Sequence, residues 1–323
     1  MKILEVLPYG QRGGTEKAVS ILSQGLIERD HKVTVLIPDG PGITFFKETK
    51  LELLPPGCLQ RRKMIVNLLK EYDLVHIHAA RELVKDYNKP VVFTPHSYYN
   101  QLDRLMVRVF ARKAQIICFT EWEKMMLTRL GLKKITVIPN GILQPPSLEK
   151  TNDRALLRIG YLGRLTKDKG LDMLFKELVK LEEPYELVIA GEGKEEENLK
   201  HQARILKLPV TFVGFQEAYA FLSTLDIFVL PSRTETFGIA LVEAMSQGLA
   251  LVAADVCGLK EIVGSAGLVV SHHSLASALK KVIRDKDLRE SLGNRAKERF
   301  AKCYTSEKMV TETEKLYLSL LQG

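Results

Sequence analysis

The sequence contains two successive series of short Val-, Ile- and Leu-rich runs, and stretches with the apolar spacing of helices separate the runs. In the first series the runs lie at 2–9, 32–38, 73–79, 90–96, 115–120 and 135–141. In the second series they lie at 156–163, 185–191, 210–214, 227–232 and 249–255. Runs that are apolar at nearly every position predict strands buried on both faces, as in a parallel sheet covered by helices. The chain is therefore predicted to be an α/β protein.

Two such series predict two consecutive domains of similar size, each a Rossmann-like, doubly wound sheet. We place them at residues 1–145 and 155–303, because the segment 142–154 is polar and contains a Pro pair. Residues 304–323 predict one more helix, which could cross back onto the first domain. Ligands of doubly wound sheets bind beyond the carboxyl ends of the strands, so two facing domains would hold a ligand in the cleft between them. Dehydrogenases and binding proteins share this layout, which alone leaves the function open.

The formal net charge of +8 is unevenly distributed along the chain. Residues 1–150 carry 23 Lys and Arg against 15 Asp and Glu, whereas the remainder carries 24 of each. This asymmetry favours an anionic partner for the first half. The four cysteines are scattered, which is typical of a reducing cytosol and not of a disulfide framework or a zinc site. No apolar run reaches the roughly 18 residues of a membrane-spanning helix, and the first ten residues predict a strand, so we expect a cytoplasmic protein.

The first strand run leads into the glycine-rich stretch PYGQRGGTEKA at 8–18. Gly13 and Gly14 allow the backbone to approach a ligand, and the start of the following helix offers N–H donors to an anion. A tight turn between strand and helix explains the glycines equally well. The stretch is neither G-x-G-x-x-G nor a Walker motif, so it does not favour a dinucleotide or P-loop site.

The second domain opens with YLGRLTKDKGLDML at 161–174. Arg164 and Lys169 lie in the loop between a strand and a helix, and two cations beside free backbone amides suit a diphosphate. A solvated basic loop is the alternative, and Lys167 is interpreted as such a solvated residue. Gly191 and Gly193, after the next strand, are expected to shape the wall of the site.

The stretch SRTETFGIALVEAMSQG at 232–248 places two acids on either side of a helix start. Amides around Phe237 and Gly238 could hold phosphate oxygens. Glu235 precedes the helix, whereas Glu243 lies within it, and a carboxylate can accept two hydrogen bonds from a vicinal diol such as ribose. The alternative for Glu243 is a helix acid paired with a nearby base.

Together, GRLTKDKG, the stretch SRTETFGIALVEAMSQGLALVAADVCGLKEIV and the N-terminal GGTEKAV resemble the retaining GT-B glycosyltransferases of family 4. The resemblance runs over most of the chain and is most specific at residues 160–265. It implies a GT-B fold, in which two Rossmann-like domains face each other across a cleft. It also implies transfer of a sugar from a nucleotide-diphosphate sugar.

The resemblance assigns roles to individual residues. Glu243 would hold the ribose, and Glu235 would contact hydroxyls of the donor sugar. Arg164 and Lys169 would bind the pyrophosphate, which Gly14 would approach from the first domain. The predicted donor-binding set is Gly13, Gly14, Arg164, Lys169, Gly214, Phe215, Glu235, Phe237, Gly238, Ile239 and Glu243, with Gly214 and Phe215 framing the base. The predicted catalytic set is His96, Arg164, Lys169 and Glu235.

Three histidines lie within or at the end of strand runs of the first domain. His96 ends the run 90–96, where it would point into the cleft. The resemblance places it close to the donor sugar, as a hydrogen-bonding and charge-stabilising group and not as a nucleophile. His76 and His78 are interpreted as facing opposite ways on their strand, which argues against a metal pair. His78 is then expected to line the cleft and His76 to lie in the core.

The implied reaction breaks the C1–O bond of the donor with oxocarbenium character, while the diphosphate gains charge. Arg164, Lys169 and the helix amides would stabilise that charge in place of a metal ion. We expect no metal and no cofactor, since no Asp-x-Asp stands where a metal-dependent transferase needs one. Retention would follow if the acceptor attacks from the face that the diphosphate leaves and the diphosphate accepts its proton. Domain closure would exclude water.

Two basic stretches of the first domain have helical spacing. Arg104, Arg108 and Arg112 recur at every fourth residue, and 59–72 combines basic and apolar residues similarly. Such helices can lie on an anionic leaflet, or they can be solvated faces over a core. The excess of basic residues in the first half adds support for membrane contact. We therefore hypothesise a peripheral position at the inner face of the cell membrane. A nucleic-acid partner is not favoured, because stacking aromatics do not interleave the basic residues.

The favoured donor is a UDP-sugar, followed by a GDP-sugar. The acceptor would be a glycan or a lipid-linked glycan, in the synthesis of a cell-envelope polysaccharide or glycolipid. Two alternatives are a GT-B-like nucleotide-sugar epimerase and a nucleotide-sugar-binding protein without catalysis. A phosphorylase is disfavoured, because the phosphate loop lacks a lysine suited to a pyridoxal cofactor.

Overall fold

The computed structural model describes residues 1–96, 101–146 and 155–322, and for 101–104 it describes the backbone alone. The chain divides into two compact units. The first unit is Met1–Leu143 with Tyr304–Gly323, and the second unit is Gln144–Cys303. Residues 147–154 of the segment predicted as a linker lie outside the described residues.

Each unit contains one sheet. The strands of the first are β1 Lys2–Val6, β2 Lys32–Ile37, β3 Lys50–Leu53, β4 Leu74–His78, β5 Val91–Thr94, β6 Gln115–Cys118 and β7 Ile135–Val137. Those of the second are β8 Leu157–Leu162, β9 Tyr185–Ala190, β10 Val210–Phe212, β11 Ile227–Leu230, β12 Ala250–Ala254 and β13 Gly267–Val270. Neighbouring strands pair in parallel throughout the described residues. The prediction of two parallel α/β sheets is confirmed.

Helices connect the strands. They are α1 Gly14–Ile27, α2 Cys58–Leu68, α3 Gln101–Phe110, α4 Glu121–Arg129, α5 Leu171–Leu178, α6 Glu196–Ile205, α7 Ala218–Leu222, α8 Ile239–Ser246, α9 Leu259–Val263, α10 Leu275–Arg284, α11 Lys286–Cys303 and α12 Ser306–Gln322. Local chemistry fixes some of their ends. At the start of α4, the Thr120 side chain accepts a hydrogen bond from the Glu123 amide, and the Glu123 carboxylate accepts one from the Phe119 amide. These bonds satisfy donors that the first turn leaves without helical partners.

The strand order of each sheet indicates where a ligand can bind. The order is β3-β2-β1-β4-β5-β6-β7 in the first unit and β10-β9-β8-β11-β12-β13 in the second. In both sheets the chain moves outwards from its first strand and then returns to that strand's other side. The reversal falls between β1 and β4 and between β8 and β11. Loops at the carboxyl ends of these strands diverge there and leave a crevice in which ligands of such sheets bind.

Alternating residues of β1 build two cores on opposite faces of the first sheet. Leu4 and Val6 belong to the cluster that also contains residues of α2, α3 and α4. Ile3 and Leu7 belong to the cluster that contains residues of α1 and α12. Because side chains alternate along a strand, Glu5 shares the face of Ile3 and Leu7. An acid is thereby placed in an apolar layer, with no access to solvent.

The helix α12 belongs to the first unit although 160 residues of the second unit precede it in the chain. It packs on α1, where Gly25 faces Val310 so closely that a Cβ would touch its methyl groups. Arg29 donates to Glu314 across 2.7 Å, and His31 contacts the same carboxylate at 2.6 Å. Within the described residues, no helix is both long and apolar enough to cross a membrane.

Candidate functional site

The loop after β8 carries the predicted phosphate-binding cations. The buried Tyr161 at the end of β8 donates its hydroxyl to the Arg164 carbonyl across 2.9 Å, which fixes the start of the loop. Arg164 is exposed, and so is Lys167. Lys169 ends a short 3₁₀ turn, and Gly170 follows with φ of 71°, a left-handed conformation that suits glycine.

Lys169 and Glu235 form an ion pair. The Lys169 Nζ lies 2.8 Å from the Glu235 Oε2, and both side chains are largely buried. The Ser232 hydroxyl donates to the same oxygen across 3.3 Å. The lysine was predicted to bind phosphate and the acid to bind the donor sugar, and their pairing with each other was not predicted. The structure therefore brings two predicted site residues into one contact.

Arg233 joins the loops after β8 and β11, and the sequence analysis missed it. Its guanidinium donates to both carboxylate oxygens of Asp172, across 2.6 and 2.7 Å, and to the Lys167 carbonyl across 2.6 Å. Its backbone amide donates to the Asp168 carbonyl across 2.7 Å. The hydrogen bond from Arg233 lowers the pKa of Asp172 below its usual value, so the pair is ionic. The sequence did contain a signal for this pair. Asp172 follows β8 and Arg233 follows β11, the two strands between which the strand order reverses.

Glycines allow the loops of this edge to approach closely. A Cβ on Gly170 would collide with the Pro231 carbonyl oxygen. A Cβ on Gly191 would collide with the Gly163 carbonyl, and one on Gly193 with the Leu165 carbonyl. Gly191 and Gly193, which were predicted to shape the wall of the site, thus pack against the backbone of the loop that carries Arg164.

The helix α8 begins at the carboxyl end of β11. Gly238 precedes it with φ of 80°, and the position of a Cβ on Gly238 lies 3.5 Å from the Glu235 Cγ. Phe237 is buried and anchors the turn, whereas Ile239 is half-buried. The first amides of an α-helix have no carbonyl partner within the helix and carry positive partial charge. The start of α8 therefore offers anion-binding donors next to Glu235, the partner of Lys169.

Glu243 lies inside α8 and is buried. Burial raises the pKa of Tyr219 on α7, and the charge of Glu243 adds to this increase. The two side chains thus interact electrostatically. Gly214, with φ of 65°, precedes the exposed Phe215. The Gly214 carbonyl accepts from the Gly191 amide across 2.7 Å. The predicted donor-binding roles of Glu243, Gly214 and Phe215 stay predictions.

The glycine-rich turn of the first unit packs against the loop after β2. The Gly10 carbonyl accepts from the Gly42 amide across 2.7 Å. Gly13 precedes α1, and the exposed Gly14 is its first residue. The carboxylate of the buried Glu16 lies over Gly13, 2.7 Å from where a Cβ would be. This acid, which was not among the predicted site residues, covers part of the helix start.

The interpretation that His76 and His78 face opposite ways is wrong. Residues two apart on a strand share a face, and the two ring centroids lie 3.9 Å apart. The His78 Nε2 contacts the Glu5 Oε2 at 2.6 Å, and its Nδ1 lies 3.1 Å from the His96 Nε2. His96 has φ of 54°, and its ring lies 5.3 Å from that of Phe119. The structure therefore links the predicted catalytic histidine to a buried glutamate.

His76 takes part in the same cluster. Its Nδ1 lies 2.6 Å from the hydroxyl of Tyr317 on α12, and its Nε2 lies 2.8 Å from that of Thr94. Ligand atoms of Glu5, His76 and His78 lie within 4.8 Å of one another. Strand geometry therefore gives no reason to exclude a metal pair. The contact lengths are those of hydrogen bonds, and the expected absence of a metal stays a prediction.

The basic helices of the first unit differ from each other. Arg108, in the last turn of α3, and Arg112, two residues beyond its end, are exposed. The exposed apolar residues Leu105 and Val109 lie on the same helix. The side chain of Arg104 lies outside the described residues. On α2, Arg61 donates to the Pro55 carbonyl, and Arg62 donates to the Glu82 carbonyl. The basic pattern at 59–72 therefore includes structural arginines, whereas α3 presents a mixed basic and apolar surface.

Comparisons with known proteins agree with this architecture. The family model "Glycosyltransferase Family 4" matches residues 12–142, and the model "Glycosyl transferases group 1" matches residues 148–299. The chain is 30% identical over 201 residues to the O-antigen biosynthesis glycosyltransferase WclY of Escherichia coli, covering 58% of this chain and 57% of WclY. It is 31% identical over 208 residues to the glycogen synthase of Mycobacterium tuberculosis, covering 60% of this chain and 50% of the synthase. The chain thus spans about half the length of these relatives.

Solved structures share the fold over the whole chain. The crystal structure of Anabaena HepE in complex with UDP and glucose superposes with a TM-score of 0.88 at 21% identity, covering 99% of this chain and 100% of HepE. At this level of identity the likeness shows the fold, and roles of individual residues need their own tests.

Proposed function

Because the chain belongs to the GT-B glycosyltransferases described by the group 1 and family 4 models, we propose that it is a retaining transferase that uses a nucleotide-diphosphate sugar. The observation that carries the proposal is the contact between Lys169, Glu235 and the start of α8 at the reversal point of the second sheet. A cation and helix amides next to a carboxylate match a diphosphate linked to a sugar. UDP is the favoured nucleotide, since HepE was crystallised with UDP, and GDP is the next candidate.

In the proposed reaction, the donor C1–O bond breaks and the diphosphate leaves with the electron pair. Lys169, Arg164 and the first amides of α8 stabilise its charge. The acceptor hydroxyl oxygen forms the new bond to C1 on the same face, and its proton passes to the diphosphate. Glu235 contacts the sugar hydroxyls, Glu243 holds the ribose, and Gly214 with Phe215 frames the base. Gly13, Gly14 and His96 keep the roles that the family resemblance assigns.

The acceptor is proposed to be a glycan or a lipid-linked glycan, in keeping with the similarity to WclY, an O-antigen biosynthesis glycosyltransferase. The side of α3 with Arg108, Arg112, Leu105 and Val109 is proposed to touch an anionic membrane surface at the cytoplasmic face. Basic residues near such a surface contribute about 1 kcal/mol each. Flotation with phosphatidylglycerol vesicles tests this contact. The double variant Arg108→Glu, Arg112→Glu should lose flotation, whereas Arg204→Glu on the exposed face of α6 should keep it.

The test of the nucleotide site is a thermal-shift series with UDP, GDP, ADP and CMP. A ligand at 100 times its Kd stabilises the folded protein by about 2.7 kcal/mol, which raises the melting temperature measurably. One diphosphate should stabilise the wild type and the control Glu197→Ala, an exposed acid on α6, but not Glu243→Ala. If none of the four nucleotides shifts the wild type, the proposal loses its support. With the matching sugar donor, product formed in the absence of acceptor would indicate an epimerase instead.

A further inference from the structure

A hydrogen-bonded chain runs through the core of the first unit, from Tyr317 through Glu5 and His78 to His96. The Tyr317 hydroxyl donates to the Glu5 Oε1 across 3.1 Å. The Glu5 Oε2 lies 2.6 Å from the His78 Nε2, and the His78 Nδ1 lies 3.1 Å from the His96 Nε2. The members Glu5, His78 and Tyr317 are buried. The proposed transfer mechanism uses only the final residue, His96.

Each contact in this chain needs one proton, and a neutral imidazole carries one proton on its two nitrogens. If Glu5 is protonated, its Oε2–H donates to the His78 Nε2, so His78 must carry its proton on Nδ1. That proton is donated to the His96 Nε2, so a neutral His96 carries its own proton on Nδ1. If Glu5 is ionised, both donations reverse, and His96 carries its proton on Nε2.

The branch through His76 is the same in both states. The His76 Nδ1–H donates to the Tyr317 oxygen, which frees the Tyr317 proton for the Glu5 Oε1, and the Thr94 hydroxyl donates to the His76 Nε2. These donors and acceptors balance whether Glu5 is protonated or ionised. His76 and Tyr317 therefore hold the carboxyl in place without determining its charge.

We propose that Glu5, acting through His78, is a positioning residue that determines which ring nitrogen of His96 carries the proton. The relevance of this to sugar transfer rests on the role of His96 in the proposed function. The family resemblance assigns His96 a hydrogen-bonding role but leaves open whether its Nδ1 donates or accepts the hydrogen bond. The chain to Glu5 supplies that information. The loss of one proton from Glu5 changes His96 from a donor to an acceptor at Nδ1, and both imidazoles stay neutral.

The surroundings of Glu5 favour its protonated form at neutral pH. The groups that face it are His76 and His78 from β4 and Tyr317 from α12, while β2 pairs Val35 beside it. None of these is a permanent cation. Burial raises the pKa of Glu5 to about 8 and lowers the pKa values of His76, His78 and His96. His96 should therefore be protonated at Nδ1 at neutral pH and at Nε2 well above pH 8.

A shared metal ion does not explain the contacts as well. Two ligands bound to one zinc ion at about 2.1 Å in a tetrahedral site stay about 3.4 Å apart. The Glu5 Oε2 and the His78 Nε2 are closer than that, at the distance of a short hydrogen bond between a carboxyl group and an imidazole. The pair therefore shares a proton.

The direct test is a pH series of long-range ¹H–¹⁵N correlation spectra of the full chain labelled with ¹⁵N-histidine. These spectra distinguish protonated from unprotonated ring nitrogens without any substrate. The chain has seven histidines, and the variant His96→Gln identifies the His96 signals by their loss. We expect His96 to be protonated at Nδ1 at pH 6.5 and to change to Nε2 with a midpoint near pH 8. A His96 protonated at Nε2 throughout overturns the proposal.

Variants separate Glu5 from general effects on the fold. Glu5→Gln has an amide that donates to the His78 Nε2 and an oxygen that accepts from Tyr317, so it mimics the protonated acid at every pH. It should keep His96 at Nδ1 up to pH 9.5. Glu314→Gln is the matched control, because this acid contacts His31 in the same unit, and it should leave the His96 midpoint unchanged. Copurification of one equivalent of zinc that Glu5→Gln abolishes would also overturn the proposal.

An activity profile then connects the chain to function. If the proposed transfer is correct, the plot of kcat against pH should have an inflection near pH 8 that is absent in Glu5→Gln. A tautomer change in the spectra without any transfer activity would preserve this inference and contradict the proposed function instead.

Discussion

At the residue scale, a ligand that binds Lys169 or Glu235 must first break the ion pair between them. The cation that should bind a diphosphate is already neutralised by the acid that should bind a sugar. A donor that carries both groups can replace this contact with two new ones. A free phosphate has no sugar hydroxyls, so it cannot compensate Glu235 for the loss of its partner. The pair therefore favours a ligand in which phosphate and sugar are linked.

Glu5 makes the stability of the first unit depend on pH. Its pKa in the folded chain is about 8, against a usual value of 4.5. Between these values the folded chain holds a proton that the unfolded chain has lost, so the contribution of Glu5 to the free energy of unfolding falls as the pH rises. Glu5→Gln should therefore gain stability relative to the wild type over this window, by on the order of a few kcal/mol at pH 8.

Urea unfolding of both proteins at pH 5 and pH 8 measures this effect. The buried histidines have lowered pKa values and destabilise the fold at acidic pH, but they do so in both proteins. A difference between variant and wild type that is equal at the two pH values would contradict the raised pKa of Glu5.

The histidine cluster shows how much of the site could be predicted from sequence. His96 was found because it follows a strand run, and the period of two should also have placed His76 and His78 on one face. The sequence alone therefore places the two histidine rings on the same side of the strand, contrary to the interpretation above. Glu5 is different, because its contact with His78 depends on which strands are neighbours. The amino-acid sequence alone does not show that β1 and β4 are neighbours or how their residues are aligned.

At the scale of elements, two strands escaped prediction. β3 and β13 each form an edge of their sheet, and their residues are half-exposed or exposed. The predicted strands are runs of five or more residues that are apolar at nearly every position, which is the pattern of strands buried on both faces. GLVV in β13 is apolar but only four residues long. KLEL in β3 alternates polar and apolar residues instead. The pairing of Lys169 with Glu235 was missed for a related reason, since the strand order that brings their loops together has no local signal.

Arg233 is expected to hold the loops after β8 and β11 together. Arg233→Ala leaves Asp172 without its bidentate partner and removes the bond to the Lys167 carbonyl. We expect a loss of about 1–3 kcal/mol in stability and at least a tenfold weaker binding of the nucleoside diphosphate. Calorimetric unfolding and titration measure the two effects. Arg204→Ala on α6 is the control, and an equal loss in both variants would contradict the role of Arg233.

The close packing of these loops predicts different costs for two glycine substitutions in the same unit. Gly170 and Gly214 both have positive φ, near 70°, which costs a non-glycine residue about 1–2 kcal/mol. A Cβ on Gly170 also collides with the Pro231 carbonyl, whereas a Cβ on Gly214 meets nothing within 4 Å. Gly170→Ala should therefore destabilise the protein clearly more than Gly214→Ala in thermal unfolding. Equal melting temperatures would show that the loops can move apart.

At the scale of the whole molecule, α12 completes the first unit. Val310 packs on Gly25, and Tyr317 covers Glu5 in the core. Deletion of residues 304–323 exposes this face and leaves the Glu5 carboxyl without its tyrosine. We expect the backbone amides of β1 and β4 to lose protection from hydrogen exchange by at least a hundredfold, because the loss opens the core of that unit. Protection in β8 and β11 should be retained.

Hydrogen exchange followed by mass spectrometry reports the two units in one experiment. The variant Leu318→Ser, at an exposed position of α12, is the control and should leave the protection of β1 unchanged. Loss of protection in β8 together with β1 would contradict the assignment of α12 to the first unit.

The position of α12 also has a consequence for synthesis on the ribosome. The second unit consists of one uninterrupted stretch of chain, so all its elements are available once residue 303 has emerged. Synthesis of the first unit begins earlier, but its core cannot be completed until Tyr317, more than 300 residues after Glu5, has emerged. Until then its apolar face is open to chaperones and to other nascent chains. The part that is made first is therefore the part that is finished last.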